Sequence, residues 1–177
     1  MSMNDKRSIR AEIRDRVKSL SPMQKNEYSI ETCRQVLSSP QWKSANRIMA
    51  FLSLADEIDT SLLLADASKK LYVPKVNGND IDVYEYSSGT VAPGAFGIME
   101  PAGNAVLLCD TSQLDLVIVP GIAFTESGVR LGRGKGFYDR FLHNVSCPVW
   151  GIAYPQQIVD SIPADPWDIP IDGVFHC

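Results

Sequence analysis

"LDLVIVPGIAF", Leu114–Phe124, decides the architecture. Its centre is a continuous apolar run rich in Val and Ile, which ends at the turn pair Pro120-Gly121. A short run of that kind reads as a strand buried on both faces, and such strands belong to sheets with helices packed on each side. "RIMAFLSL" (47–54) upstream and "CPVWGIAY" (147–154) downstream have the same character. "LYVPKV" (71–76) reads as another strand, with Pro74 pointing to an edge or irregular position. "DIDVYEYS" (80–87) alternates and reads as half-exposed. Between the strands lie helical patterns. Ile9, Ile13, Val17 and Leu20 predict an amphipathic helix from about Asp5 to Leu20. Ser21-Pro22 is a cap and first-turn pair opening a second helix to about Leu37. A cap at Asp59 or Thr60 predicts a third helix to Lys70, and Gly136–His143 reads as a fourth. Strands alternating with helices predict an α/β sandwich with a mainly parallel sheet. No internal repeat and no linker divides residues 1–177, so one domain is expected.

"SGTVAPGAFGIMEPAGN" (88–104) resists assignment and reads as a long loop. Loops of that length inside compact domains are commonly functional.

The buried strand leads into "RLGRGKGFYDR", Arg130–Arg140. Glycines let backbone approach a ligand closely, and Arg130, Arg133 and Lys135 add fixed positive charge. Ligands of open α/β sheets sit beyond the carboxyl ends of the strands, and free amides there suit a phosphate. The stretch is neither a Walker A loop, since Gly136 follows Lys135, nor GxGxxG, since Phe137 takes the third glycine's place. Alone it indicates a phosphate-bearing ligand of unspecified class.

Composition restricts the setting. The formal net charge is −4, so the surface as a whole does not attract nucleic acid or an acidic membrane, and an anion site must be local. No apolar run approaches a membrane span, and the polar start does not resemble a secretory signal. Four widely spaced cysteines without a CxxC pair read as ordinary thiols in a reducing cytoplasm.

Several side chains carry two readings each. Asp139 is a Mg²⁺ ligand beside phosphates or an acid in a first helical turn. Asp172 is a second metal acid or a turn residue before Gly173. Glu57 contacts a polar substrate edge or charges a helix start. Phe96 stacks on a planar ligand or pins its loop. Lys6 and Arg10, four apart on one helix face, reach a phosphate or are solvated. Trp42, Trp150 and Trp167 show no pattern and read as packing residues.

Taken in order, "KRSIR", "FLSLADEID", "LYVPKV", "GAFGIMEP", "DLVIVPGIAFTESGVRLGRGKGFYDRFL" and "IPADPWDIPID" resemble the 5-formyltetrahydrofolate cyclo-ligase (5,10-methenyltetrahydrofolate synthetase) family across nearly the whole chain. The resemblance implies a three-layer α/β/α domain of Rossmann-like type. It also implies ATP- and Mg²⁺-dependent closure of 5-formyltetrahydrofolate, with or without a polyglutamate tail, to the 5,10-methenyl form, releasing ADP and phosphate. By matching position, Lys6, Arg10 and the run Arg130, Leu131, Gly132, Arg133, Gly134, Lys135, Gly136, Phe137 and Tyr138 correspond to ATP contacts. Arg133 to Phe137 also face the folate, and Leu52, Glu57 and Phe96 are folate contacts. Asp139 and Asp172 are the metal-associated acids, and Lys135 and Arg133 the catalytic cations. Phe137 stands where many relatives have Tyr and lacks that hydroxyl. Two other classes are carried beside this one: a non-catalytic folate-binding protein of the same fold, and another nucleotide-dependent transferase.

Overall fold

Ile9, Ile13 and Val17 recur every fourth residue, and the helix they predict forms: α1 spans Lys6–Lys18 and buries all three. Asp5 caps it, its carboxylate accepting from the Ser8 N–H at 2.7 Å. The structure, a computed structural model, describes residues 5–94 and 97–177. Helix α2 (Pro22–Ser38) starts at the Ser21 cap, and Gln24 completes a reciprocal capping box. Each such cap satisfies amides that the helix itself leaves unpaired, worth about 1 kcal/mol. Pro40 then opens the short α3 (Pro40–Ser44).

Along the remaining chain come β1 (Arg47–Met49), α4 (Ser61–Leu64), β2 (Lys70–Asn77), β3 (Asp80–Glu85), β4 (Val91–Pro93) and β5 (Met99–Pro101). They are followed by β6 (Leu116–Val119), β7 (Ala123–Phe124), β8 (Arg130–Leu131), α5 (Phe137–Leu142), β9 (Val149–Ile152) and β10 (Gly173–Phe175). The central sheet has the order β10-β9-β6-β1-β2-β3. Its strands run parallel except β3, which returns antiparallel against β2 through a tight turn with Gly78 at φ +62°.

Successive strand residues point to opposite faces, and both faces are covered. Leu116 and Ile118 pack with Ile13, Val17, Val36 and Trp42 beneath α1–α4. Val117 and Val119 pack on the other face with Phe141 and Leu142 of α5. The expected three layers are present, the α5 layer being the thinner. No helix among the described residues is long and apolar enough to cross a membrane, and the four cysteines are unpaired.

The structure departs from the sequence reading in four places. The strand expected over 47–54 stops at Met49, because hydroxyls take over the backbone partners: Thr60 Oγ1 donates to Phe51 O, and Thr60 N donates to Ser53 Oγ. The helix expected to Lys70 is only α4, since Asp66 folds the chain into a turn that accepts from Ser68 N and from the Trp42 indole. Pro74 lies in an interior strand. It is tolerated because β1 has ended opposite Tyr72, so no ladder bond is lost there. The segment 88–104 is not structureless: β4 and β5 pair antiparallel within it.

Candidate functional site

The carboxyl ends of β1 and β6 open into a cleft of about 650 Å³. Chain-terminating geometry puts it there. Leu52 and Glu57 follow β1, Pro120-Gly121 follow β6, and β2 contributes Pro74 to Val76. The glycine loop from Gly132 to Gly136 crosses this edge between β8 and α5, with Gly134 at φ +99° and Gly136 at φ +70°. Those left-handed conformations suit glycine, and a Cβ at position 136 would fall 2.7 Å from Arg140 Nη1. Helix α1 brings Lys6 and Arg10 to the same cleft.

Each cation has its own arrangement. Arg10 Nε donates to Gly132 O at 2.8 Å and so tethers the glycine loop to α1. Arg133 Nη2 lies 2.6 Å from Asp56 Oδ1 and 2.9 Å from Glu57 Oε1. Lys6 Nζ is held between Asp165 at 2.6 Å and Asp168 at 2.5 Å. Lys75 pairs with Glu100 at 3.3 Å. The Arg130 side chain, only 2% exposed, pairs with Asp139 at 3.2 Å. It also donates to Pro120 O and lies 5.3 Å from the Tyr138 ring centroid. Arg130 is therefore part of the cleft wall. Lys135 is exposed and makes no ion pair among the described residues. Six cations and five carboxylates line the cleft among those residues, one net positive charge on a chain of net −4.

Glu57 is buried, and burial pushes its carboxyl above the usual range, against the Leu54 amide and Arg133, which favour the charged form. Asp56 also loses solvent, but the Arg133 guanidinium outweighs that and holds it below the ordinary value. Because the raised Glu57 binds its proton more tightly when folded, the stability it contributes falls as pH rises from 4.5, its ordinary value, through its higher folded value. Melting temperatures across that window should show a flatter fall for Glu57→Gln than for the unaltered protein. Parallel profiles would mean that Glu57 ionises as it does in the unfolded chain.

The cleft thus gathers Lys6, Arg10, Leu52, Glu57, Arg130 to Tyr138 and Asp139. Phe96 lies outside the described residues. Asp172 is not brought to the cleft. It sits where β9 and β10 begin, its carboxylate accepting from Val149 N at 2.7 Å. Sequence reasoning missed Lys75, Asp165, Asp168 and Trp167, which also line the cleft. The two aspartates and Trp167 fall inside "IPADPWDIPID", so the signal was a motif read as a whole and not residue by residue.

The chain matches the 5-formyltetrahydrofolate cyclo-ligase family over residues 2–176. A 5-formyltetrahydrofolate cyclo-ligase of Escherichia coli (strain K12) is 33% identical, with 92% of this chain and 94% of that protein covered. A mouse protein of the same name is 30% identical over 97% of this chain and 93% of its own length. The solved structure of a 5,10-methenyltetrahydrofolate synthetase from Aquifex aeolicus has a TM-score of 0.84 at 34% identity, covering 96% of this chain and 88% of that one. The synthetase structure from Mycoplasma pneumoniae, with a TM-score of 0.79 at 23% identity over 97% of this chain and 98% of that one, shows the same fold. Matched from end to end by the family, and a third identical to relatives of its own length, the chain belongs to the 5-formyltetrahydrofolate cyclo-ligases.

Proposed function

We propose that the cleft uses ATP and Mg²⁺ to close 5-formyltetrahydrofolate into 5,10-methenyltetrahydrofolate. The formyl oxygen attacks the γ-phosphorus and ADP leaves. N10 of the folate then forms a bond to the activated formyl carbon, the carbon–oxygen bond breaks, and phosphate departs with the proton that N10 gives up. No protein nucleophile is required. The chain's own tasks are to align two ligands, neutralise the phosphoryl oxygens and keep water out. The observation that carries this reading is Lys135, a cation without a carboxylate partner among the described residues, on a glycine loop tied to α1 through Arg10. Glu57, with Arg133 beside it, is suited to accept from the amino edge of a pterin, and Leu52 lines the apolar approach.

The donor set fits a metal that arrives with the nucleotide. Among the described residues no group of three His, Cys, Asp or Glu side chains gathers to hold an ion by itself. Mg²⁺ characteristically takes one or two carboxylates together with phosphate oxygens and waters. Asp139, one fifth exposed and bonded through one oxygen to Arg130, is the acid best suited to this. The ion would supply neutralisation of charge at the β,γ-phosphate oxygens. Asp139→Asn should therefore raise the Mg²⁺ concentration needed for half-maximal rate. Asp172→Ala should leave that titration unchanged and cost about 1 kcal/mol of stability through the lost bond to Val149 N. A shifted Mg²⁺ curve for Asp172→Ala would return that residue to the metal.

The direct test mixes the protein with 5-formyltetrahydrofolate and MgATP and follows the absorbance of the methenyl product. Folate binding without product would replace the enzyme reading with that of a folate-binding protein.

A further inference from the structure

The three tryptophans, alike in the sequence, differ in the structure. Trp42 is buried with its indole N–H on Asp66. Trp150 packs 4.8 Å from Phe175. Trp167 is 68% exposed and lines the cleft. An indole left in water on a rigid support is an unfilled contact surface, and the support here is unusually constrained. Asp168 N donates to Asp165 O at 3.0 Å, closing a turn with Pro166 at its second position. Asp165 N donates back to Asp168 Oδ2 at 2.8 Å. Both carboxylates then grip Lys6, at the first residue of α1. The turn is closed by its own backbone, by a side chain and by a cation on another element, and its third residue is Trp167.

We propose that Trp167 is the stacking surface for the base of the nucleotide, with Lys6 the residue that positions it through Asp165 and Asp168. This rests on the ATP reading above. A planar base and a planar pterin would both suit an indole face, and the connections favour the base. The turn is anchored on α1, the helix whose Arg10 holds Gly132 of the phosphate-suited loop. Glu57, suited to the pterin edge, is anchored on Arg133 instead. One helix thus sets both the loop for the phosphates and the surface for the base. In the free protein the Lys6 charge is committed to two carboxylates, so its part is to hold the turn.

Calorimetry on the full chain with Mg²⁺ tests this using ATP, inorganic tripolyphosphate and 5-formyltetrahydrofolate as separate probes. Trp167→Ala should weaken ATP about tenfold, within what one base stacked on an aromatic side chain contributes. Tripolyphosphate and folate should bind as before, and Trp167→Phe should recover most of the ATP affinity. Because the indole is largely in solvent, its truncation leaves both core clusters intact. Unchanged ATP affinity, or equal weakening of ATP and tripolyphosphate, would overturn the stacking role. Weakened folate with unchanged ATP would assign the indole to the pterin and also overturn it. Failure of the unaltered protein to bind ATP at all would remove the nucleotide reading itself, a result distinct from any of these.

Discussion

Lys135→Ala should lower turnover by roughly a hundredfold or more at saturating MgATP and folate, with a much smaller change in ATP affinity. The expectation follows from where charge moves. In the proposed reaction the phosphoryl group passes to the formyl oxygen, and negative charge redistributes over its oxygens and the leaving ADP. A cation aimed there acts chiefly in the transition state, and its removal appears in kcat. Lys135 is the suitable cation because the others are committed. Lys6, Lys75, Arg130 and Arg133 each pair with at least one carboxylate, and Arg10 bonds the loop carbonyl of Gly132. Left-handed glycines on both sides let the loop close around a phosphate chain. Steady-state kinetics separates the alternatives. Near-normal kcat with a much higher KM for ATP would make Lys135 a uniform binding residue. Lys135→Arg should rescue poorly, since a planar fork does not replace a compact ammonium in a tight loop.

The second large effect is on folding. Gly128→Ala should destabilise the protein by on the order of 4 kcal/mol, lowering its melting temperature by roughly 10 °C. Gly128 has φ +88°, and a Cβ built there would lie 2.1 Å from the carbonyl oxygen of Ile171. That neighbour is backbone and cannot rotate aside. It is also fixed, because Ile171 N donates to Gly128 O at 2.9 Å and the Ile171 side chain is buried in the core beneath α5. The turn between β7 and β8 must therefore separate from the segment leading into β10. Arg130, two residues on, would be displaced with it, so activity should fall even at temperatures where the variant is folded. Gly103→Ala is the control: a Cβ there meets nothing within 4 Å, and its melting temperature should scarcely move. Thermal unfolding of the two variants side by side checks this, and equal melting temperatures would mean that the turn yields to a Cβ without cost.

What could be read from the chain follows from how local each signal is. The run at 116–119 is buried on both faces, so its residues are uniformly apolar and recognisable without context. The starts of α1 and α2 announce themselves because a cap bonds its own neighbours. The glycine loop was legible for the same reason: its conformational demand falls on the residues that carry it. By contrast, β4 and β5 are short, contain prolines and are mostly half-exposed or exposed, so the backbone pairing leaves little trace in side-chain pattern. Strand β1 is shorter than its apolar run because Ser53 and Thr60, seven residues apart, meet only after the chain has turned. Residues at the cleft divide similarly. Glu57 and Lys135 follow recognisable motifs, whereas Trp167 differs from Trp42 and Trp150 only in its surroundings. Asp172 has the composition of a metal ligand and lies where β9 and β10 begin, accepting from Val149 N, a position that topology alone sets.

The near balance of charge along the cleft also bears on how ligands arrive. With four of the six cleft cations facing an acid at contact distance, their fields cancel within a few ångströms, inside the screening length of about 8 Å at physiological salt. A polyanion approaching a molecule of net charge −4 meets no long-range attraction to guide it. Encounter should therefore be an ordinary diffusive search whose rate varies little with ionic strength, unlike the steered association of proteins with a single-signed funnel. Discrimination among anions is then deferred until after entry, when ligand oxygens compete one by one with Asp139, Asp165 and Glu57 for partners already in hand.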